Sequence, residues 1–290
     1  MGNKRTKYWN ILRNTLATVF AVVGLYFTFF TWEDLHITCI CVKLAILCGI
    51  CILCAIFALV CFVFTYSEKI WSRGSGSINV TYGDLLGDAF KKKSWCHKVK
   101  KGLYVIPVNT HFDTIIEDET VPKPLVSADT IHGRWLNGLM SKNRMSAQDI
   151  QNVIFSDLDS RNTPYSLVTR PKGNQRQYEL GTCAIVRGSD ERNFLLVALS
   201  EFNNNNNAHA TRDIIIECTK RLLSFINQNA QGRKCYIPLM GTGRSRANLT
   251  HKESIHVILS TMDLYNDEII SPLELVIYKK DKDKVSIFDK

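Results

Sequence analysis

Two long segments without charge dominate the first seventy residues of the chain. Residues 15–32 contain no charged side chain, and neither do residues 44–66. A helix rises about 1.5 Å per residue, so about 20 apolar residues cross the hydrocarbon core of a bilayer. Neither segment has the polar face that a helix on a globular core normally shows. The pattern predicts a transmembrane helical hairpin, with spans at about 12–32 and 44–66, inside an N-terminal region 1–71.

The charges that flank this hairpin predict its orientation. Six basic residues lie on its outer sides: Lys4, Arg5, Lys7, Arg13, Lys69 and Arg73. The short connection carries Glu33 and Asp34, with Lys43 as the exception. Because Lys and Arg are enriched in cytoplasmic flanks, we predict a multi-pass inner-membrane protein with both termini in the cytoplasm. A cleaved signal peptide is the alternative for the first segment, but no small-residue cleavage site precedes Glu33.

Downstream of the hairpin, short apolar runs alternate with helical stretches. Strands are predicted at 78–80, 103–108, 182–186, 194–199, 235–240 and 273–278, and helices at 85–92, 131–139, 147–155, 211–228 and 252–264. Strands rich in Val, Ile and Leu between helices indicate an α/β domain whose mostly parallel sheet is covered on both faces. We expect this cytosolic domain to span 78–290, after a flexible linker at 72–77 with the sequence SRGSGS. Residues 201–210, which include five consecutive asparagines, are predicted to be a loop.

The net charge of +9 divides into two parts. Residues 1–72 carry +3 and residues 73–290 carry +6, and one stretch without acidic residues supplies the whole excess of the second part. That stretch contains Lys91, Lys92, Lys93, Lys98, Lys100 and Lys101. The rest of the domain is neutral, so we expect no nucleic-acid partner. The lysines have two interpretations: contact with anionic lipid headgroups, or a solvated helix end and loop.

Two loops that follow predicted strands carry groups suited to ligand binding. The first contains Asn109, Thr110, His111, Phe112, Asp113 and Thr114. The second contains Gly241, Thr242, Gly243, Arg244, Ser245 and Arg246. Ligands of open α/β sheets bind at the carboxyl ends of the strands. Glycines let backbone N–H groups approach an anion, and arginines complement phosphate charge. The alternative for the second loop is an ordinary turn, since turns use Gly and Ser for conformational reasons.

Together, these loops carry a resemblance to a known family. INVTYGDLL, YVIPVNTHFDT and YIPLMGTGRSR resemble, in this order, the ligand-binding segments of macro domains. These segments, the His132-Gly133 pair and YELGTCAIV are more closely similar to the divergent macro domain of the Thoeris anti-phage defence effectors. One form of those effectors has two membrane helices ahead of that domain, as predicted here. The resemblance implies a three-layer α/β/α sandwich with a mostly parallel mixed sheet.

The resemblance also implies a function. A partner enzyme with a TIR domain converts NAD into an ADP-ribose derivative, such as histidine-conjugated ADP-ribose, and the macro domain binds this nucleotide second messenger. Binding drives assembly of a homo-oligomer, and the membrane segments then disrupt the lipid bilayer, which leads to abortive infection. The chain is therefore expected to be a ligand-gated effector with no cofactor and no metal, rather than an enzyme.

Several residues match the motifs of the family. Asp84 matches the carboxylate that accepts a hydrogen bond from the adenine amino group, although a helix N-cap is the alternative. Asn109 matches the asparagine near the distal ribose, and Thr110, Phe112, Asp113 and Thr114 are expected to face the same end. Phe112 has a core position as its alternative. The resemblance assigns the diphosphate to Gly241, Thr242 and Gly243, adds Arg244, Ser245 and Arg246 as contacts, and matches His132 and Gly133 to a motif without an assigned role.

The loop after Asn109 departs from macro domains that hydrolyse their ligand. Thr110, His111 and Phe112 stand where those enzymes have Ala-Ala-Asn, so the second asparagine linked to catalysis is missing. This departure favours a receptor. The first alternative is a membrane-anchored ADP-ribosyl hydrolase or phosphatase, for which His111 is the candidate acid–base group. The second is a scaffold that has lost its ligand.

Overall fold

The computed structural model describes residues 4–92, 100–117, 125–202, 208–242 and 247–289. The chain divides into two compact units, Met1–Tyr66 and Ser67–Lys290. The division falls between the second apolar segment and the first strand. Each unit has its own packing and is described separately below.

The N-terminal unit is a pair of antiparallel helices, α1 (Lys4–Phe29) and α2 (Ile40–Val63). The Tyr8 hydroxyl donates to the Ala55 carbonyl at 3.4 Å, which joins the start of α1 to the later part of α2. Both helices are long and apolar enough to cross a membrane, by length and composition. They end three residues before the predicted limits of 32 and 66. After α1 the chain turns because the Asp34 carboxylate accepts hydrogen bonds from the backbone N–H and the hydroxyl of Thr31.

The second unit is built on a mixed sheet of eight strands among the described residues. These strands are β1 (Ser67–Arg73), β2 (Gly76–Gly83), β3 (Gly102–Asn109), β8 (Cys183–Val186), β9 (Arg192–Phe202), β10 (Ala208–His209), β11 (Cys235–Pro238) and β12 (Pro272–Tyr278). Their order is β1-β2-β12-β11-β3-β9-β10, with β8 also paired to β9. The five strands from β2 to β9 are parallel, and β1, β8 and β10 pair antiparallel at the edges. The prediction of a mostly parallel mixed sheet is confirmed.

Helices cover both faces of this sheet. They are α3 (Leu85–Ala89), α4 (Ile131–Asn143), α5 (Ala147–Ser160), α6 (Arg212–Asn229) and α7 (His251–Leu264). Side chains alternate along each strand. Leu103 and Val105 of β3 therefore pack in the core with α6 and α7, whereas Tyr104 and Ile106 pack in the core with α3, α4 and α5. The result is the three-layer α/β/α sandwich that was predicted.

Two small strand pairs lie outside the main sheet. Strand β4 (Ile116–Glu117) pairs in parallel with β5 (Val126–Ser127), just before α4. Strand β6 (Tyr165–Leu167) pairs antiparallel with β7 (Arg176–Tyr178). Both pairs follow β3 in the chain, and residues 168–175 connect β6 to β7.

The predicted linker at 72–77 is wrong. Ser72 pairs with Ser77 and Arg73 pairs with Gly76, so these residues form the closed end of the β1–β2 hairpin. A Cβ atom at Gly76 would come 2.0 Å from the carbonyl oxygen of Ile269, which explains a glycine there by close backbone approach. The glycines and serines at 72–77 therefore serve the geometry of a turn and its packing, and do not form a flexible linker.

The predicted loop at 201–210 is also shorter than expected. Strand β9 continues through Phe202, which pairs with Ala208 of β10. The asparagine run at 203–207 lies outside the described residues.

Candidate functional site

The carboxyl ends of four neighbouring parallel strands meet at one edge of the sheet. Asp84 follows β2, Asn109 ends β3, Gly241 follows β11 and Tyr278 ends β12. The spatial order β2-β12-β11-β3 places these four positions along a single edge. Open α/β sheets bind their ligands in this position. The structure thus brings the predicted Asp84, Asn109 and Gly241 to one edge, and Thr242 follows directly in the same loop.

Asp84 serves as the N-cap of the short helix α3. Its Oδ1 accepts a hydrogen bond from the Gly87 N–H at 3.0 Å, so the N-cap alternative describes its structural role. The same Oδ1 lies 3.4 Å from Nη2 of Arg134, whose guanidinium lies over the Tyr278 ring at 5.6 Å. The Asp84 side chain remains 28% exposed, so the capping role leaves its carboxylate accessible at the edge of the sheet.

Asn109 shapes the loop that follows β3. Its Oδ1 accepts hydrogen bonds from the backbone N–H groups of His111, at 3.0 Å, and Asp113, at 3.3 Å. Phe112 has a left-handed backbone with φ of +50° and is fully buried. Its ring lies edge-on to Tyr178 at a centroid distance of 5.4 Å. Phe112 therefore occupies the core position that was its alternative, and its expected contact with a ligand does not fit this geometry.

Asp113 and Thr114 are bound to other parts of the protein. The Asp113 carboxylate lies 3.1 Å from Nη1 of Arg170 and accepts the Asn174 N–H at 2.8 Å. The Thr114 hydroxyl donates to Oε1 of Gln151 at 3.1 Å. The carboxylate of Asp113 and the hydroxyl of Thr114 are thus both engaged by other residues of the protein. The expectation that Asp113 and Thr114 face a ligand therefore does not fit the structure either.

The segment 168–175 covers the loop that contains these residues. Besides its backbone contact to Asp113, Asn174 uses Nδ2 to donate to the carbonyl oxygens of His111, at 3.0 Å, and Phe112, at 3.1 Å. The same Nδ2 donates to Gln151 at 2.6 Å. Thr110 is also fully buried, and its N–H donates to the carbonyl of Ser200. Of these residues, Asn109 alone lies at the end of β3, at the carboxyl edge of the sheet.

His111 is buried and held in one tautomer. Its Nδ1 lies 3.0 Å from the Arg176 carbonyl oxygen, so Nδ1 carries the proton that is donated. Burial, followed by the positive charge of Arg170, lowers the pKa of His111 below its ordinary value. The imidazole is therefore neutral at physiological pH and is directed at a backbone carbonyl.

The His132-Gly133 pair packs the start of α4 against β5. A Cβ atom at Gly133 would come 2.2 Å from the carbonyl oxygen of Ser127, so the helix approaches too closely for a side chain. His132 is buried, with its ring 6.1 Å from that of Trp135, and burial lowers its pKa to about 3. This geometry gives the pair a packing role, with the His132 side chain buried.

Comparison with known proteins identifies the family. The family model described as "Thoeris protein ThsA, Macro domain" matches residues 78–278, which is more than half of the chain. The chain belongs to the Thoeris ThsA macro-domain family. A Thoeris protein ThsA from Bacillus amyloliquefaciens (strain Y2) is 24% identical over 285 residues, which cover 95% of this chain and 87% of that protein.

Solved macrodomain structures also match the chain. A mutant macrodomain of Oceanobacillus iheyensis is 11% identical, with a TM-score of 0.47, and the match covers 77% of this chain and 94% of that one. Another mutant of that macrodomain, with ADPR, is 13% identical, with a TM-score of 0.47 and the same coverage.

Sequence reasoning missed four residues around the candidate site. Arg134 and Tyr278 lie beside Asp84, and Arg170 and Asn174 hold the loop after Asn109. The position of Tyr278 at the end of the last predicted strand was a usable signal. No local pattern marks Arg170 or Asn174, because their partners lie about sixty residues earlier in the chain. Gly243, Arg244, Ser245 and Arg246 lie outside the described residues.

Proposed function

We propose that this chain is the membrane-bound effector of a Thoeris anti-phage system and that its macro domain binds an ADP-ribose-derived signal. Membership in the ThsA macro-domain family is the observation that carries the proposal. The convergence of Asp84, Asn109 and the Gly241–Thr242 loop at one sheet edge supports it, because this is where an α/β fold binds a nucleotide. A TIR-domain enzyme supplies the signal by cleaving NAD, and histidine-conjugated ADP-ribose is the candidate ligand.

Ligand binding, rather than hydrolysis, is the proposed activity of the domain. A general acid or base must come within hydrogen-bond reach of the reacting group. His111 is 3% exposed and donates to a backbone carbonyl, and Asp113 is 1% exposed and paired with Arg170. The two titratable groups of the loop after β3 are therefore engaged inside the protein, which favours a receptor over a hydrolase.

Calorimetry of the full chain in non-ionic detergent tests the binding step. ADP-ribose and its amino-acid conjugates are titrated separately, and each mixture is then analysed for product. Binding of one ligand per chain without product supports the receptor. Multiple turnovers would show that the hydrolase alternative is correct, and a failure to bind every ADP-ribose derivative would favour the scaffold.

Two substitutions at Asp84 separate its proposed ligand contact from its structural role. Asparagine is as good an N-cap as aspartate, so Asp84→Asn preserves the cap of α3 while it removes the charged acceptor. Hydrogen bonds to charged groups contribute about 1.5–3 kcal/mol, so we expect about a tenfold or greater loss of affinity with little change in thermal stability. Asp84→Ala should reduce both the affinity for the ligand and the thermal stability. Unchanged affinity in Asp84→Asn would remove Asp84 from the site.

Membrane disruption is the proposed output. Vesicles that contain the full chain and an enclosed dye should leak when the signal is added, and light scattering of the detergent-solubilised chain should show ligand-dependent assembly. Gly243→Glu should abolish leakage, because its carboxylate would stand where the diphosphate must approach. Ligand-triggered leakage that persists in this variant would contradict the assignment of the second loop.

The proposed topology has its own test. Cys39 lies between the two helices, Cys41 lies in the first turn of α2, and both are exposed. A membrane-impermeant maleimide should label them from outside intact spheroplasts, whereas Cys96, which follows the hairpin, should be labelled only after lysis. Labelling of Cys96 in intact spheroplasts would overturn the cytoplasmic placement of the domain.

A further inference from the structure

The first strand of the second unit fixes the place where the chain enters the sheet. Helix α2 ends at Val63 and β1 begins at Ser67, so four peptide units join them. A link of this length spans at most about 14 Å. Ser67 pairs with Thr81 of β2, and Thr81 pairs with Val276 of β12, so the three residues form one row across the sheet. Because β1 runs antiparallel to the other two strands, the chain arrives from the side where β2 and β12 end.

The chain therefore enters the sheet at the edge that carries the proposed nucleotide site. The last residues of β2 and β12, Gly83 and Tyr278, lie two residues past the row of Ser67, which is about 7 Å at about 3.3 Å per residue. Asp84 and Lys279 follow them directly. Strand β12 is two strands away from β1, which is about 10 Å to the side. The covalent link alone thus keeps this carboxyl edge close to the end of α2.

A lysine-rich segment follows β12 at the same edge. Residues 279–284 have the sequence KKDKDK, and all four lysines are exposed. Tyr82, which precedes the last residue of β2, anchors the chain that follows this segment. Its hydroxyl donates to the Val285 carbonyl oxygen at 3.2 Å and accepts the Ile287 N–H at 3.1 Å. The segment is therefore fixed beside the end of β2, where Asp84 also lies.

The acidic residues of this segment do not cancel its positive charge. The Asp281 carboxylate lies 2.7 Å from Nζ of Lys284, so these two charges neutralise each other. Asp283 is the other acid of the segment. Neither Lys279 nor Lys280 has an ion-pair partner in the part of the chain that the structure describes. The first two positions after β12 thus present unpaired, exposed ammonium groups.

The lysines of the 91–101 stretch belong to the opposite edge of the sheet. The Lys91 carbonyl oxygen accepts a hydrogen bond from Nη1 of Arg192 at 2.7 Å, and Arg192 pairs with Gly102 at the start of β3. Asn109 ends β3, so the two edges are about 23 Å apart at about 3.3 Å per residue. The Debye length at physiological ionic strength is about 8 Å, so an anionic surface that contacts one edge is screened from the other. Since the chain enters at the carboxyl edge, the lipid interpretation of the 91–101 stretch does not fit its position.

We propose that the carboxyl edge of the domain rests on anionic headgroups of the bilayer that holds the hairpin, with Lys279 and Lys280 as the contacts. The proposal depends on the proposed membrane location. The short link to α2 brings this edge to the membrane surface, and unpaired lysines near such a surface are attracted to it. The nucleotide site would then open at the membrane surface, and ligand binding would act on the β1–β2 pair, which continues directly into α2.

Nanodiscs that contain the full chain test this contact. One set is made of phosphatidylcholine alone and the other of phosphatidylcholine mixed with phosphatidylglycerol, so the two sets differ in headgroup charge. The readout is the acetylation rate of each lysine side chain, measured by peptide mass spectrometry, which assigns protection to single positions. No nucleotide is added, so the result does not depend on the proposed ligand.

We expect phosphatidylglycerol to slow the acetylation of Lys279 and Lys280 about fivefold, the factor that corresponds to about 1 kcal/mol of attraction for a lysine near an anionic surface. The acetylation rates of Lys91 and Lys92 should be the same in both lipids. High salt should remove the difference at Lys279 and Lys280, because it screens the charge of the headgroups.

Two matched double variants assign the contact to these lysines. Lys279→Gln/Lys280→Gln removes two charges from the carboxyl edge, and Lys91→Gln/Lys92→Gln removes the same charge from the opposite edge. Lys282 is exposed in the same segment and serves as the reporter. Its protection by phosphatidylglycerol should be lost in the first variant and kept in the second.

Several results would overturn the contact. These are equal acetylation of Lys279 and Lys280 in both lipids, equal protection of Lys91 and Lys92, and protection that survives high salt. Persistent protection of Lys282 in Lys279→Gln/Lys280→Gln would overturn the assignment to these two lysines. A chain that does not incorporate into nanodiscs would contradict the membrane location as well, so failure of the proposed function is distinguished from failure of the contact alone.

Discussion

Replacing Arg170 with methionine removes the cation that neutralises a buried carboxylate. The Arg170 and Asp113 side chains are 6% and 1% exposed, and their charged groups are 3.1 Å apart. Methionine keeps most of the apolar stem of arginine but leaves the Asp113 carboxylate with the Asn174 N–H as its remaining described donor. Asp113 must then either stay charged without a counterion or take up a proton, and both outcomes destabilise the folded domain.

The expected magnitude follows from burial. Removal of one partner of a buried ion pair costs about 3–5 kcal/mol, because the other charge is left uncompensated. A second ion pair anchors the same segment: Lys172 lies 2.7 Å from Glu117, but these side chains are 32% and 19% exposed. A pair of this kind, open to solvent, contributes about 0.2–1 kcal/mol. Arg170→Met and Lys172→Met therefore remove the same charge from positions two residues apart, with a severalfold difference in expected cost.

Urea unfolding of the full chain in non-ionic detergent, followed by near-UV circular dichroism, measures both costs. Arg170→Met should lower the free energy of unfolding by about 3 kcal/mol or more, and Lys172→Met by less than about 1 kcal/mol. Adding Asp113→Asn to Arg170→Met should recover part of the loss, because the uncompensated charge is then absent. Equal effects of the two single substitutions would refute the argument that burial determines the strength of these pairs.

Two further substitutions test the start of α4. The native pKa of His132 is about 3, so below the ordinary value of about 6.5 the unfolded chain binds a proton that the folded chain does not. The free energy of unfolding should therefore fall as the pH falls, and His132 should account for about 2 kcal/mol of this loss at pH 5. In His132→Phe, chemical denaturation should show a shallower pH dependence of stability, and the slope that remains comes in part from His111. Gly133→Ala should lower the free energy of unfolding by about 1–3 kcal/mol, because the added Cβ meets the Ser127 carbonyl. Alanine normally favours a helix over glycine, so a neutral or stabilising effect would contradict this argument.

The layers of the fold were predictable because they depend on local periodicity. The apolar run at 103–108 alternates between the two faces of the sheet, and both faces are covered by helices. The positions of Asp84 and Asn109 were predictable for a related reason, since each ends or follows a parallel strand and the ends of parallel strands share one edge. Only the identity of the strands was needed to place these two residues together.

The loop after Asn109 was predicted less well because its environment is set by distant residues. Phe112, Asp113 and Thr114 look like ligand contacts when read along the chain. Arg170, Asn174 and Gln151 bury them, from positions that no spacing rule connects to the loop. The turn at 72–77 was mispredicted for the same reason, because its environment is set by a distant residue. Gly76 is required there by the carbonyl of Ile269, nearly two hundred residues later.

The buried loop also explains how the Asn109 side chain, which is itself 5% exposed, is held in place at the strand end. Oδ1 of Asn109 binds two N–H groups of the loop, and the loop in turn is held by Asn174 and Arg170. A side chain fixed in this way loses little freedom when a ligand binds, which favours affinity. Arg170→Met should therefore weaken binding of the ADP-ribose signal even below its unfolding temperature, although Arg170 is itself buried in the covering segment. If affinity is unchanged while stability falls, the segment 168–175 supports the fold alone, and Asn109 is positioned by β3 without its help.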